Sequence, residues 1–325
     1  MHNINKMIYV GTEPWHGLGV KLPANATYDQ ISSLAGFYNA EERQLVVEGC
    51  NAAVPDRKAI VRGDDGRYLA TVGVGYRIVQ FSEVAKTLVE AAGEVGGFFH
   101  TAGTLGPVGA RGWLLGELPG VITVKGDPSP IRKYLLGCTG HDGLSAITLK
   151  NVATRVVCQN TLGLALGERG GASFKIHHTT NAGTRLAQAA YALEKLVRSY
   201  ETFGELANLM ATTPFTDKQM KATIDVVLPV PKDDLDHLRI DRDREKVRSL
   251  FETAVGLEPA IKGTSWAAIN AWSEFLDHVR LPKAKRGHDM RDQRLESIWL
   301  GSAAKMKELA FNAVLTETNM PMATA

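Results

Sequence analysis

The chain has 325 residues, 44% hydrophobic and 22% charged, which is long enough for a sizeable core in one extended domain or two and too apolar for a disordered protein. A net charge of +2 gives no strong overall field, so any nucleic-acid contact must rest on local clusters. The first residues, Met1-His2-Asn3-Ile4-Asn5-Lys6, lack the apolar stretch of a signal peptide, and no apolar run approaches the roughly 20 residues that span a bilayer; a cytoplasmic protein is expected.

In chain order, Trp15-His16-Gly17-Leu18-Gly19 comes first, a loop-like segment between Pro14 and Pro23. Its Trp-His pair reads either as part of a site or as a Trp closing the core. Leu45-Val46-Val47, Ala59–Arg62, Tyr68–Val72 and Tyr76–Val79 read as short strands, with a hairpin turn over Arg62-Gly63-Asp64-Asp65-Gly66-Arg67. A helix starts at Ser82, presents Val84, Leu88, Val89 and Ala92 on one face, and ends at Gly96-Gly97. Strands are predicted around Phe98–Thr101, Trp113–Leu118, Tyr134–Thr139 and Ala146–Val157. Gly103, Gly106, Gly109 and Gly112 lead into a strand, so they suit a hairpin loop and not a phosphate cradle. Lys262-Gly263-Thr264-Ser265 lacks the glycine frame of a nucleotide loop.

Beyond residue 181 helix periodicity takes over. Leu186, Ala190, Leu193, Val197, Tyr200, Gly204 and Ala207 mark a long amphipathic helix from Asn181 to about Met210. Thr216-Asp217-Lys218-Gln219 opens a further helix with a capping box, and Pro229 closes it. More helices are predicted near 241–255, 265–279 and 292–315. One helix among strands joined by short turns indicates an α+β protein with a largely antiparallel twisted sheet over residues 1–180, followed by a helical region over 181–325.

The most informative stretch is Thr154-Arg155-Val156-Val157-Cys158-Gln159-Asn160-Thr161-Leu162, followed by Lys175-Ile176-His177-His178-Thr179. If Asn160 caps a helix beginning near Thr161, Cys158 lies before its positive end, where a thiolate is favoured, and His141 or His178 would complete a Cys-His site. The other reading of Cys158 is a buried structural thiol. Cys50, Cys138 and Cys158 are too far apart for a Cys-x-x-Cys pair, which argues for reduced thiols and against a zinc site. His141, in Gly140-His141-Asp142-Gly143, reads as an acid-base group or as an exposed turn residue. On a strand, His177 and His178 point to opposite faces, so they are no simple metal-ligand pair. No cofactor or metal motif is present.

Arg132, Lys133, Lys150, Arg155, Lys175 and His177 or His178 are expected to share a sheet-edge face suited to anions. The strongest basic cluster is Lys283, Lys285, Arg286, Arg291 and Arg294, in a segment softened by Asp289 and Asp292. Phosphate contact is its functional reading, and a solvated loop the alternative.

Several of these residues carry a likeness: Trp15-His16-Gly17-Leu18-Gly19, Arg155-Val156-Val157-Cys158 with Asn160-Thr161-Leu162, His178-Thr179 with Asn181-Ala182, Gly263-Thr264-Ser265-Trp266 through Asn270-Ala271 to Asp277-His278, and Arg294-Leu295-Glu296-Ser297. Across nearly its whole length the chain resembles a family of phage- and plasmid-encoded proteins whose domain has no known function. The resemblance implies a mobile-element setting and transfers no catalytic residue or cofactor. The leading expectation is a binder of single-stranded DNA, with strand annealing and recombination as its context. Trp15 or Trp113 would stack on bases, no cofactor or membrane would be needed, and homo-oligomers are compatible with the role. One alternative is an enzyme using Cys158 with His141 or His178 on a nucleic acid or small molecule. The other is a counter-defence factor that binds a host protein.

Overall fold

A computed structural model describes residues 4–11, 19–24, 26–155, 160–163, 173–230, 237–280, 294–299 and 301–320. The main sheet contains β1 (Ile4–Val10), β2 (Val20–Leu22), β6 (Phe98–Leu105), β7 (Arg111–Val124), β8 (Asp127–Gly140), β9 (Ile147–Arg155), β10 (Asn160–Gly163) and β11 (Ser173–Ile176). Their order is β10-β9-β8-β7-β6-β1-β2, and β11 pairs with the outer edge of β9 beside β10. Every pairing is antiparallel except β1 with β2. A smaller antiparallel sheet is formed by β3 (Ala40–Val47), β4 (Ala52–Arg62) and β5 (Tyr68–Gly73). The α+β class and the antiparallel sheet agree with the sequence.

The long central strands are buried almost without alternation because both faces of the sheet are covered. On one face Leu114, Leu135, Leu149 and Ala153 meet α2 (Phe81–Glu94) and α3 (Ala182–Thr212). On the other, Trp113, Leu115, Tyr134, Leu136, Cys138 and Val152 form a second cluster with Ile298 and Trp299 of α7 (Arg294–Trp299). From α3, the Tyr200 hydroxyl reaches the β8–β9 backbone and accepts hydrogen bonds from the N–H groups of Tyr134 and Val152, each at 3.0 Å. The C-terminal half is helical: α4 (Asp217–Val227), α5 (His237–Thr253), α6 (Ser265–Glu274) running into a π-helical turn over Phe275–Val279, α7, and α8 (Ser302–Glu317).

Three local expectations are corrected, and one helix was not expected. Tyr76–Val79 is not a strand; Arg77 N–H donates to the His178 carbonyl at 3.0 Å, so this linker is anchored from a distance. Asn160–Gly163 is a strand in register with Arg155–Val152, not a helix start. The periodic run over 292–315 divides into α7 and α8. An unexpected α1 (Tyr28–Ala35) follows a complete capping box between Thr27 and Gln30.

Candidate functional site

Arg155 was expected on an exposed basic face, and this is overturned. Its side chain is 1% exposed and that of Asp127 is fully buried. Nε and Nη2 of Arg155 donate to the two Asp127 carboxylate oxygens at 2.7 and 2.8 Å. Further guanidinium bonds run to the carbonyls of Val255 (3.1 Å) and Gly256 (2.6 Å), and Trp266 Nε1 donates to Asp127 at 2.9 Å. The pair therefore joins the start of β8 and the end of β9 to the loop after α5 and to α6. An open cleft of about 350 Å³ lies alongside, lined by Pro128, Pro130, Gly256 and Glu258. The guanidinium is turned into the protein, where its charge is matched by a fork-like carboxylate contact.

His141 and His178 are buried too, and each holds a carbonyl of the linker between β5 and α2. His178 Nδ1 lies 2.9 Å from the Arg77 carbonyl, which makes it the donor, and Nε2 lies 3.3 Å from the Thr139 hydroxyl. Its ring stacks on Tyr76 with centroids 4.7 Å apart. His141 Nε2 donates to the Val79 carbonyl at 3.1 Å, and the ring stacks on Phe81 at 4.3 Å. His141 Nδ1 is buried without a hydrogen-bond partner. Burial pushes the His141 pKa down to about 4 and lowers that of His178. Both rings act as neutral clamps, and neither presents a nitrogen to solvent as a general base would. The exposed-turn reading of His141 is likewise corrected, since the ring fills the space under α2. Cys158 lies outside the described residues.

Among the remaining cations, the sheet separates what the sequence grouped. Lys133 opposes Ala153, and its neighbour Arg132 points to the other face. Arg132 contacts Glu117 at 3.5 Å, beside His100, whose pKa burial lowers to about 4. With that imidazole neutral, its 3.8 Å approach to Glu117 is not an ion pair. Arg132 is four residues along β8 from Leu136, the cross-strand partner of Lys150, and so about 13 Å from it.

Lys150 belongs to a different cluster. Its ammonium donates to the Trp299 carbonyl at the end of α7, and among the described residues no carboxylate lies within ion-pair distance of it. Burial first, and then the positive charge of Lys307, hold its pKa down to about 8. Lys175 and His177 are exposed on the edge nearby, and Lys175 pairs across the strands with Thr148. Lys307 on α8 donates to Asp277 of the π-helical turn at 2.8 Å, both side chains being almost fully buried. Arg294 closes the group by donating to the His278 carbonyl at 2.8 Å and to that of Asp277 at 3.3 Å. Asp127 and Lys307 were not anticipated, and Asp277 entered only as part of the family likeness. A buried charge next to a glycine or inside an amphipathic helix looks like any solvated one in sequence, and only the interruption of helix geometry at Asp277-His278 marks this site.

Trp113 is 1% exposed and meets Trp299 edge-on at 4.9 Å, so it cannot stack on a base. Trp15, Lys283, Lys285, Arg286 and Arg291 lie outside the described residues. Among those described, no group of three His, Cys, Asp or Glu side chains can hold a metal, and no helix is long and apolar enough to cross a membrane.

A family profile described as a domain of unknown function matches residues 68–299. The chain belongs to the DUF932 family. The matched span begins with β5 and ends with α7, so it takes in both histidine clamps, the Arg155–Asp127 pair and the Lys150 edge, and it stops short of Lys307. No curated protein and no solved structure matches the chain.

Proposed function

We propose that this chain binds a nucleic acid at the outer edge of its main sheet, with single-stranded DNA as the form to test first. The observation that carries this reading is the placing of two cations at the two ends of α7: Lys150 is held by the Trp299 carbonyl, and Arg294 begins the helix and closes on the π-helical turn. In sequence, Arg280 and Arg294 flank the basic segment containing Lys283, Lys285, Arg286 and Arg291, and Arg294 begins the helix whose last residue, Trp299, holds Lys150. Phosphate contacts would dominate, because Trp113 is not available for stacking. A mobile-element setting and a cytoplasmic location would suit such a role, and self-association would extend the charged edge. The test is anisotropy of a labelled single-stranded oligonucleotide. Lys175→Glu, an exposed change, should weaken binding about tenfold or more; unchanged affinity would remove the proposed face.

A second reading, the binding of a host protein, is favoured by a separate observation. The β3–β4 hairpin presents Val46 and Val47 at 53% and 49% exposure, and Ala52 and Ala53 on the facing strand are exposed as well. Such an apolar ribbon suits a protein partner better than a polyanion.

A further inference from the structure

We infer that the cleft beside the Arg155–Asp127 pair binds a small organic cation, an alkyl chain that ends in an ammonium group. This site goes beyond the nucleic-acid reading and rests on different residues. Its volume of about 350 Å³ lies at the lower end of the range for small-molecule sites. Pro128 and Pro130 from β8 line it, together with Gly256 and Glu258 from the loop after α5.

The buried charges at the cleft are already matched. One Asp127 oxygen accepts from Arg155 Nη2 at 2.8 Å and from the Ser129 N–H at 3.0 Å. The other accepts from Arg155 Nε at 2.7 Å and from Trp266 Nε1 at 2.9 Å. Four bonds fill the lone-pair positions of that carboxylate, so it has nothing left for a ligand. Glu258 is different. It is half-buried, and among the described residues nothing donates to its carboxylate. Lys262, the cation nearest to it in sequence, is paired with Glu252 at 2.9 Å. With Arg155 and Asp127 cancelling, the lining keeps one net negative charge, and its low-dielectric walls focus that field into the cleft.

The same inventory disfavours an anion. Pro128 and Pro130 have no N–H to donate, the Ser129 N–H is bound to Asp127, and Arg155 turns its guanidinium onto Asp127 and two carbonyls. An alkylammonium suits what remains. Its chain lies against the proline rings while its charged end meets Glu258, as long amphipathic side chains divide apolar stem from charged head.

The experiment uses calorimetry of the full chain with butylammonium, butanol, butyrate and the blocked amino acid acetyl-lysine amide. Butylammonium is expected to bind about tenfold or more tightly than butanol, and butyrate not at all. Glu258→Gln removes only the charge from a side chain without partners, and it should erase the advantage of the amine over the alcohol. Acetyl-lysine amide binding at least as well as butylammonium would assign the seat to a lysine side chain of a polypeptide; its exclusion would assign the seat to a free amine. Absence of amine binding, equal affinity for amine and alcohol, or a preference undiminished in Glu258→Gln would each overturn the site. Those results would leave oligonucleotide binding, which is measured separately, untouched.

Discussion

Arg155 and Asp127, 28 residues apart in the chain, are joined by two hydrogen bonds of 2.7 and 2.8 Å where neither side chain reaches solvent. Because the guanidinium also holds the carbonyls of Val255 and Gly256, this one pair fastens the sheet to the helical half. Removing a single partner leaves the other charge buried and unmatched. Asp127→Ala is expected to cost about 3–5 kcal/mol in chemical denaturation. Arg155→Lys should also destabilise, since an ammonium cannot reproduce the two-pronged contact. A folded, equally stable Asp127→Ala variant would contradict a structural role for the pair.

The histidine clamps set an acid limit on stability. An unfolded histidine titrates near 6.5, whereas burial holds His141 and His100 near 4 and also lowers His178. Between those values the unfolded chain binds more protons than the folded one, so stability should be full above about pH 6.5 and decline as the pH falls towards 4. The expected slope is about 1.4 kcal/mol per pH unit for each such group. Urea midpoints at pH 7, 5.5 and 4.5 test this. His141→Gln retains a donor for the Val79 carbonyl without the titrating ring, and it should flatten the dependence. An equally steep decline in that variant would assign the acid sensitivity to other groups.

The two described cysteines should differ sharply in reactivity. Cys50 is exposed, whereas Cys138 is buried and its thiol is pushed up to about 12. A thiolate is the reactive form. Brief alkylation of the native protein, read by peptide mass spectrometry, should therefore modify Cys50 and spare Cys138 until denaturant is added. Early labelling of Cys138 would mean that the face beneath α7 opens in the native state.

Periodicity made α2, α3 and α4 legible, together with the capping box of α4 and the turn at Arg62–Arg67, because these rest on local patterns. Tyr76–Val79 misled because its alternation looks like a strand, although its carbonyls are held by two imidazoles about a hundred and about sixty residues away. Asn160 looked like a cap, but the free edge of β9 captured its segment as a strand. The capping box at Thr27 and Gln30 was present in the sequence and would have located α1. The candidate site was half legible. Lys150, Lys175 and Arg294 were picked out by charge, and the structure sets Lys150 and Arg294 at opposite ends of α7. The burial of Arg155 and Trp113 could not be read, because it depends on Asp127 and Trp299 arriving from distant parts of the chain.

The most direct test of the central claim is the affinity for a short single-stranded oligonucleotide, measured over a range of salt concentrations for the wild type and for Lys175→Ala. Each phosphate contact contributes about −0.7 to the slope of log K against log salt. Contacts from Lys150, Lys175 and Arg294 should therefore give a slope of roughly −2 or steeper, made shallower by about 0.7 in the variant. An affinity indifferent to salt, or a slope the variant leaves unchanged, would contradict nucleic-acid binding at this edge.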